Sequence, residues 1–146
     1  INTGPLPPRV GQETTYTIVW SVINSSNDVT GATVRATLPA YVRWVGSVDP
    51  ALAPVTFDSS RGEVTWNIGT VPAGLGLISA AREVAFQVAF LPSVSQIGET
   101  PVLITTPTLS GTDSFTHELL TNTKRSVDTI ISSDSRYETN YGTVVQ

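Results

Sequence analysis

The chain has 146 residues, eight basic against twelve acidic side chains, and neither cysteine nor methionine. A net charge of −4 argues against electrostatic nucleic-acid binding, which needs clustered Lys and Arg over the phosphates. The missing thiols exclude a disulfide scaffold and a thiolate metal site, and 40% hydrophobic with 14% charged residues is not the composition of a disordered chain.

A length near 150 suits one domain, which buries roughly 70% of the surface its unfolded chain exposes. The opening Ile1-Asn2-Thr3-Gly4-Pro5-Leu6-Pro7-Pro8 has the composition of a linker or edge segment. With no initiator Met, the chain reads as a fragment or processed product, and any signal peptide or anchor lies outside it. No run approaches the ~18 apolar residues that a membrane span requires.

Valine and threonine supply 39 residues, and they are arranged with period two. Over residues 13–24, Tyr16, Ile18, Trp20 and Val22 share one face while Thr15, Thr17, Val19 and Ser21 share the other, the alternation of a half-buried strand. Asn24-Ser25-Ser26-Asn27-Asp28 reads as a turn, because these side chains bond their own backbone. Residues 32–38 alternate again, with Ala32, Val34, Ala36 and Leu38 inward, and Pro39 closes the strand by lacking a ladder donor. Residues 41–48 form a short strand carrying Trp44, stopped at Asp49-Pro50. Residues 55–58 and 63–68 flank Ser59-Ser60-Arg61-Gly62 and predict a hairpin, followed by a loop over 70–76. Residues 82–91 give the longest alternation, through Val84, Phe86, Val88 and Phe90. The short Leu77–Val84 stretch that invites a helix runs straight into this strand and is read as its approach.

Residues 102–106 form a further strand, with weaker candidates at 115–120 and 126–131. Residues 132–142 are polar and without periodicity, a tail or linker; 143–146 read as the start of a next strand. Strands at this spacing, with no helical pattern between them, predict an all-β antiparallel β-sandwich of two sheets and about seven to nine strands. A small barrel carries the same strand signature. The domain boundaries follow as 1–9 for the linker or edge segment, 10–131 for the sandwich and 132–146 for the tail or an inter-subunit strand.

Val10-Gly11-Gln12-Glu13-Thr14-Thr15-Tyr16-Thr17-Ile18, then Val29-Thr30-Gly31-Ala32-Thr33-Val34, Thr37-Leu38-Pro39, Val64-Thr65-Trp66-Asn67-Ile68-Gly69 and Val71-Pro72-Ala73-Gly74 form an ordered series of short motifs. In this order they resemble the bacterial and archaeal conserved-repeat domain (domain of unknown function eleven), an Ig-like β-sandwich found in tandem on large cell-surface proteins. Asn24-Ser25-Ser26-Asn27-Asp28 stands where that family often places Asn-Thr-Gly, and the stretch after Pro92 is longer than a minimal repeat. The resemblance implies an extracellular, non-enzymatic role at the cell surface, as spacer, adhesin or envelope component, with neighbouring copies as partners. Gly11 suits a turn with positive φ, and Trp20, Trp44 and Trp66 are the largest candidates for the inter-sheet core.

Chemistry-bearing residues are sparse. His117 is the single histidine, and Asp113, Ser114 and His117 are too close along one strand to form a triad. The carboxylates of Asp28, Asp49, Asp58, Asp113, Asp128, Asp134, Glu13, Glu63, Glu83, Glu99, Glu118 and Glu138 are scattered. None lies in a calcium-loop pattern, which leaves at most a loose site at Asp28 or Asp134. No catalytic, cofactor-binding or metal residue is assigned. Lys124, the single lysine, is the only candidate for an internal Lys–Asn or Lys–Asp isopeptide bond; its polar neighbours point to the surface, and an intact mass about 18 Da low would be the mark of the bond. Asn24-Ser25-Ser26 is an N-glycosylation sequon in a turn. The outward Thr15, Thr17, Thr33 and Thr37, with Tyr41, Tyr137 and Tyr141 as stacking candidates, raise a carbohydrate-binding module as an alternative to the structural role. A self-assembling filament subunit, pairing 143–146 or the N-terminal segment with the edge of the next copy, is a variant of the first reading.

Overall fold

The computed structural model describes residues 2–130 and 141–146. In chain order the strands are β1 (Thr14–Val22), β2 (Val29–Thr37), β3 (Val42–Asp49), β4 (Val55–Asp58), β5 (Glu63–Val71), β6 (Arg82–Phe90), β7 (Val102–Ile104), β8 (Thr108–Asp113), β9 (Leu119–Thr123) and β10 (Val127–Asp128). One sheet has the order β1-β6-β3 and the other β4-β5-β2-β8-β9, with β10-β7 as a short ribbon. All these pairings are antiparallel. Among the described residues no strand joins the two main sheets edge to edge, which decides between the two closures: this is an Ig-like β-sandwich, not a barrel.

The inward faces are those the alternation predicts. Tyr16, Ile18, Trp20 and Val22 of β1 and Val84, Phe86, Val88 and Phe90 of β6 are buried against Ala32, Val34 and Ala36 of β2 and Val64 and Trp66 of β5. Burying each large apolar side chain contributes roughly 1.5–3 kcal/mol, and with no disulfide this packing holds the sheets together. Two of the three tryptophans lie in the core. Trp20 meets Phe86 edge-on at 5.0 Å, whereas Trp44 is only half-buried and stacks on Phe57 of the edge strand β4 at 5.4 Å.

The hairpin over 55–68, the turn after β1 and the non-helical approach to β6 are found where the sequence puts them, and Gly11 has φ of 75°. The region after Pro107 differs. Residues 115–118, expected in a strand, form a turn, and β8 lies just before it. Thr108-Leu109-Ser110-Gly111-Thr112-Asp113 has a single large apolar side chain, so period two is invisible. Its place comes from long-range pairing with β2, close enough that a Cβ on Gly111 would sit 2.5 Å from Val29 Cγ1.

Both chain ends fold back onto the sandwich. Thr3 and Thr15 exchange bonds along the free edge of β1, and Thr14 Oγ1 donates to Pro5 O. At the other end Val144 is 1% exposed within the core. Val145 forms a bridge with Arg9, through Val10 N–H to Val145 O and Val145 N–H to Pro8 O. Thr143–Gln146, read from sequence as a strand available to a neighbour, is therefore engaged by its own chain. Residues 131–140 lie outside the described residues, as do Asp134 and Tyr137.

Candidate functional site

Asn24, Asp28, Asp113, Ser114 and His117, which invited chemical readings, lie at one end of the sandwich, where three loops meet: 23–28 after β1, 72–81 before β6 and 114–118 before β9. Asn24 is buried. Its Nδ2 donates to Asn27 O at 2.7 Å and to Val71 O at 3.2 Å, and its Oδ1 accepts the N–H and hydroxyl of Ser26. Its backbone bonds Leu75 O and Gly74 N–H. The sequon asparagine thus pins the loop before β6 to the end of β1, and a glycan on its Nδ2 is incompatible with this arrangement.

Asp28 performs a similar task. Its carboxylate accepts Ala73 N–H at 2.8 Å and its carbonyl accepts Ser114 N–H at 2.9 Å. Among the described residues no group of three or more His, Asp or Glu side chains is placed to hold a metal ion.

Asp113, Ser114 and His117 make one tight turn rather than a triad. Asp113 Oδ1 accepts the N–H groups of Phe115 and Thr116 at 2.8 and 2.9 Å, and Asn27 Nδ2 donates to the same carboxylate. His117 closes the turn with φ of 63°, its own N–H donating to Asp113 O. The Thr116 N–H bond, joined by those of Phe115 and Asn27, holds the Asp113 carboxyl below the ordinary carboxylate range, against an opposing effect of burial.

Because the folded state prefers the carboxylate, Asp113 adds stability above its unfolded pKa of about 3.9, and that stability is lost as pH falls through the lower folded value. Denaturant titrations from pH 7 into the acid range should show Asp113→Asn less stable than the parent near neutrality, with a shallower acid limb. Parallel pH profiles for the two proteins would refute the assignment.

Lys124 is exposed, and its N–H donates to Pro107 O. The outward threonines serve the sheet and its N-terminal cover: Thr17 donates to Asn2 Oδ1, Thr33 bonds Ser110, and Thr37 meets Thr105 at 2.8 Å. Tyr41, half-buried, donates its hydroxyl to Val102 O at 2.7 Å and edges against Phe90. Of the stacking candidates, Tyr41 is thus engaged by its own chain, and Tyr137 lies outside the described residues.

The sequence reading missed the open side of the sandwich, between the free edges of β1 and β9. A groove of about 420 Å³ runs there, lined by Trp20, Val22, Val34, Leu109 and Asn122, with Lys124 and Arg125 at its rim. A second hollow of about 160 Å³ shares Val22, Ile23, Leu109 and Asn122 and reaches Asn24. Trp20 Nε1–H is buried here with no partner among the described residues. Val19 among the polar residues of the second face of β1, and Ile23 just after it, were the signal in the sequence.

This architecture has known counterparts. No protein-family model matches the chain, the conserved-repeat family included, and no curated protein matches it. Among solved structures, the chain is similar to BcpA, the major pilin subunit of Bacillus cereus, with a TM-score of 0.51 and 15% identity over 84% of this chain. The fold is like that of a pilin domain. A two-domain portion of SpaD, the major pilin of Corynebacterium diphtheriae, matches 83% of the chain at 12% identity and a TM-score of 0.46. The chain spans 36% of the BcpA structure and 47% of the SpaD structure, so it corresponds to part of each. No helix among the described residues is long and apolar enough to cross a membrane.

Proposed function

We propose that this chain is a non-enzymatic structural module of a cell-surface assembly, pilus-like or stalk-like, in which it acts as a rigid spacer or interaction domain beside neighbouring copies. The likeness of its fold to a major pilin subunit carries the reading. It is supported by the use of Asn24, Asp28 and Asp113 as loop braces. The mechanism is mechanical. Two sheets locked by an apolar core resist deformation, and the residues at 8–10 and 144–145 tie both ends of the chain into that body. In this reading residues 1–9 are an edge segment and 10–131 the sandwich, with Val144 completing its core.

Immunogold labelling of intact cells of the source organism with antibody to the purified chain tests the proposal. Label on surface fibres or the outer envelope is the expected result; label found only after permeabilisation would refute it.

A further inference from the structure

We propose that the free edge of β1 between Val19 and Ile23 is a docking strand for a second copy of this chain, the two β1 strands pairing antiparallel about Ser21. The contact is lateral and goes beyond the proposed function.

Thr15 N–H points away from β6, since it donates to Thr3 O. The β1–β6 register has no bulge through Val22, and the backbone of Asn24 continues it by bonding Leu75 O and Gly74 N–H ahead of β6, so the N–H and C=O groups of residues 19, 21 and 23 point the same way. Among the described residues, Thr3 and Asn2 cover this edge as far as Thr17. Beyond it, no backbone bond to Val19, Ser21 or Ile23 closes the edge among the described residues. Unpaired N–H and C=O groups in a row are a template for another strand.

The edge is also complementary to itself. Val19 and Ile23 are 58% and 63% exposed and both line the groove along this edge. In an antiparallel pair centred on Ser21, Val19 of one copy faces Ile23 of the other, and Ser21 faces Ser21. Each apolar side chain then gains a cross-strand apolar partner. The rim agrees in charge. Glu118 and Lys124 flank β9 at equal distances along the chain from Thr121, and Asn122 of β9 and Lys124 both line the groove. Both are exposed, and neither has an ion-pair partner among the described residues. The two-fold relation that pairs the β1 edges brings Lys124 of each copy toward Glu118 of the other.

Sedimentation velocity of the full chain across the micromolar to sub-millimolar range tests this. The expected result is a concentration-dependent species of twice 15.5 kDa. Val19→Lys should weaken the dimer by at least about tenfold, because a charge then replaces an apolar cross-strand partner. Circular dichroism melts check that this variant stays folded. Lys124→Glu, on an exposed side chain, should weaken the dimer, and adding Glu118→Lys should restore it. A monomer at all concentrations, or a dimer indifferent to Val19→Lys or to the charge exchange, would overturn the proposal. None of these outcomes bears on surface location, which the labelling experiment reads separately.

Discussion

Truncating Phe86 to alanine is expected to lower stability by about 3–5 kcal/mol, the cost of emptying a fully buried aromatic site. Phe86 is 0% exposed at the centre of β6, which is itself the middle strand of its sheet. Its ring meets Trp20 edge-on at 5.0 Å and lies tilted against Trp44 at 5.2 Å. The variant therefore loses transfer free energy and aromatic contacts together, and three strands (β1, β6 and β3) lose their common packing partner. For a chain of this size the melting temperature should fall by roughly 10–15 °C. Phe57→Ala makes the comparison: Phe57 is only partly buried on edge strand β4 and stacks on Trp44 alone, so its loss should be clearly smaller. Equal shifts for the two variants would mean that the core is not centred on β6.

The second large effect is expected at Asn24. Asn24→Ala removes four hydrogen bonds made by one side chain and leaves Val71 O buried without its Asn24 donor. An unsatisfied buried group costs about 1–3 kcal/mol; with the bonds to Ser26 and Asn27 also lost, about 3 kcal/mol in all is expected. Urea unfolding should show a lowered midpoint with an unchanged slope. Because Asn24 also holds the backbone of Gly74 and Leu75, amide exchange should quicken first in the loop before β6. A variant within 0.5 kcal/mol of the parent, the usual range for a surface site, would show that the asparagine is dispensable.

The alternation of residues 14–22 and 82–90 was legible because a strand buried on one side repeats every two residues, and Tyr16 through Val22 and Val84 through Phe90 keep that repeat without interruption. The hairpin over 55–68 was legible because its turn residues are local. β8 was not, since Gly111 and its polar neighbours have meaning only beside Val29 and Ala32. Val144 was hidden for a related reason. Two adjacent valines after a polar stretch carry no period-two signal, and which of them is buried depends on the distant segments around Pro8 and Gly98 that bond them.

The functional readings divide along the same line. Asn24 as a sequon and Asp28 as a loose cation site were suggested by residue type, and the meeting of three loops engages both in backbone bonding; Asp113 and His117, already set aside as a triad on sequence, brace the same loops. Composition and period two determined the class of fold, the identity of most core residues and the absence of thiol chemistry, because these follow from burial of alternate side chains along a single strand. Only the tertiary structure decided that the sheets remain open rather than closing into a barrel, that both chain ends return to the sandwich, and that one edge of β1 stays unpaired. Strand order and free edges arise from contacts between segments far apart in sequence, and no local pattern records them.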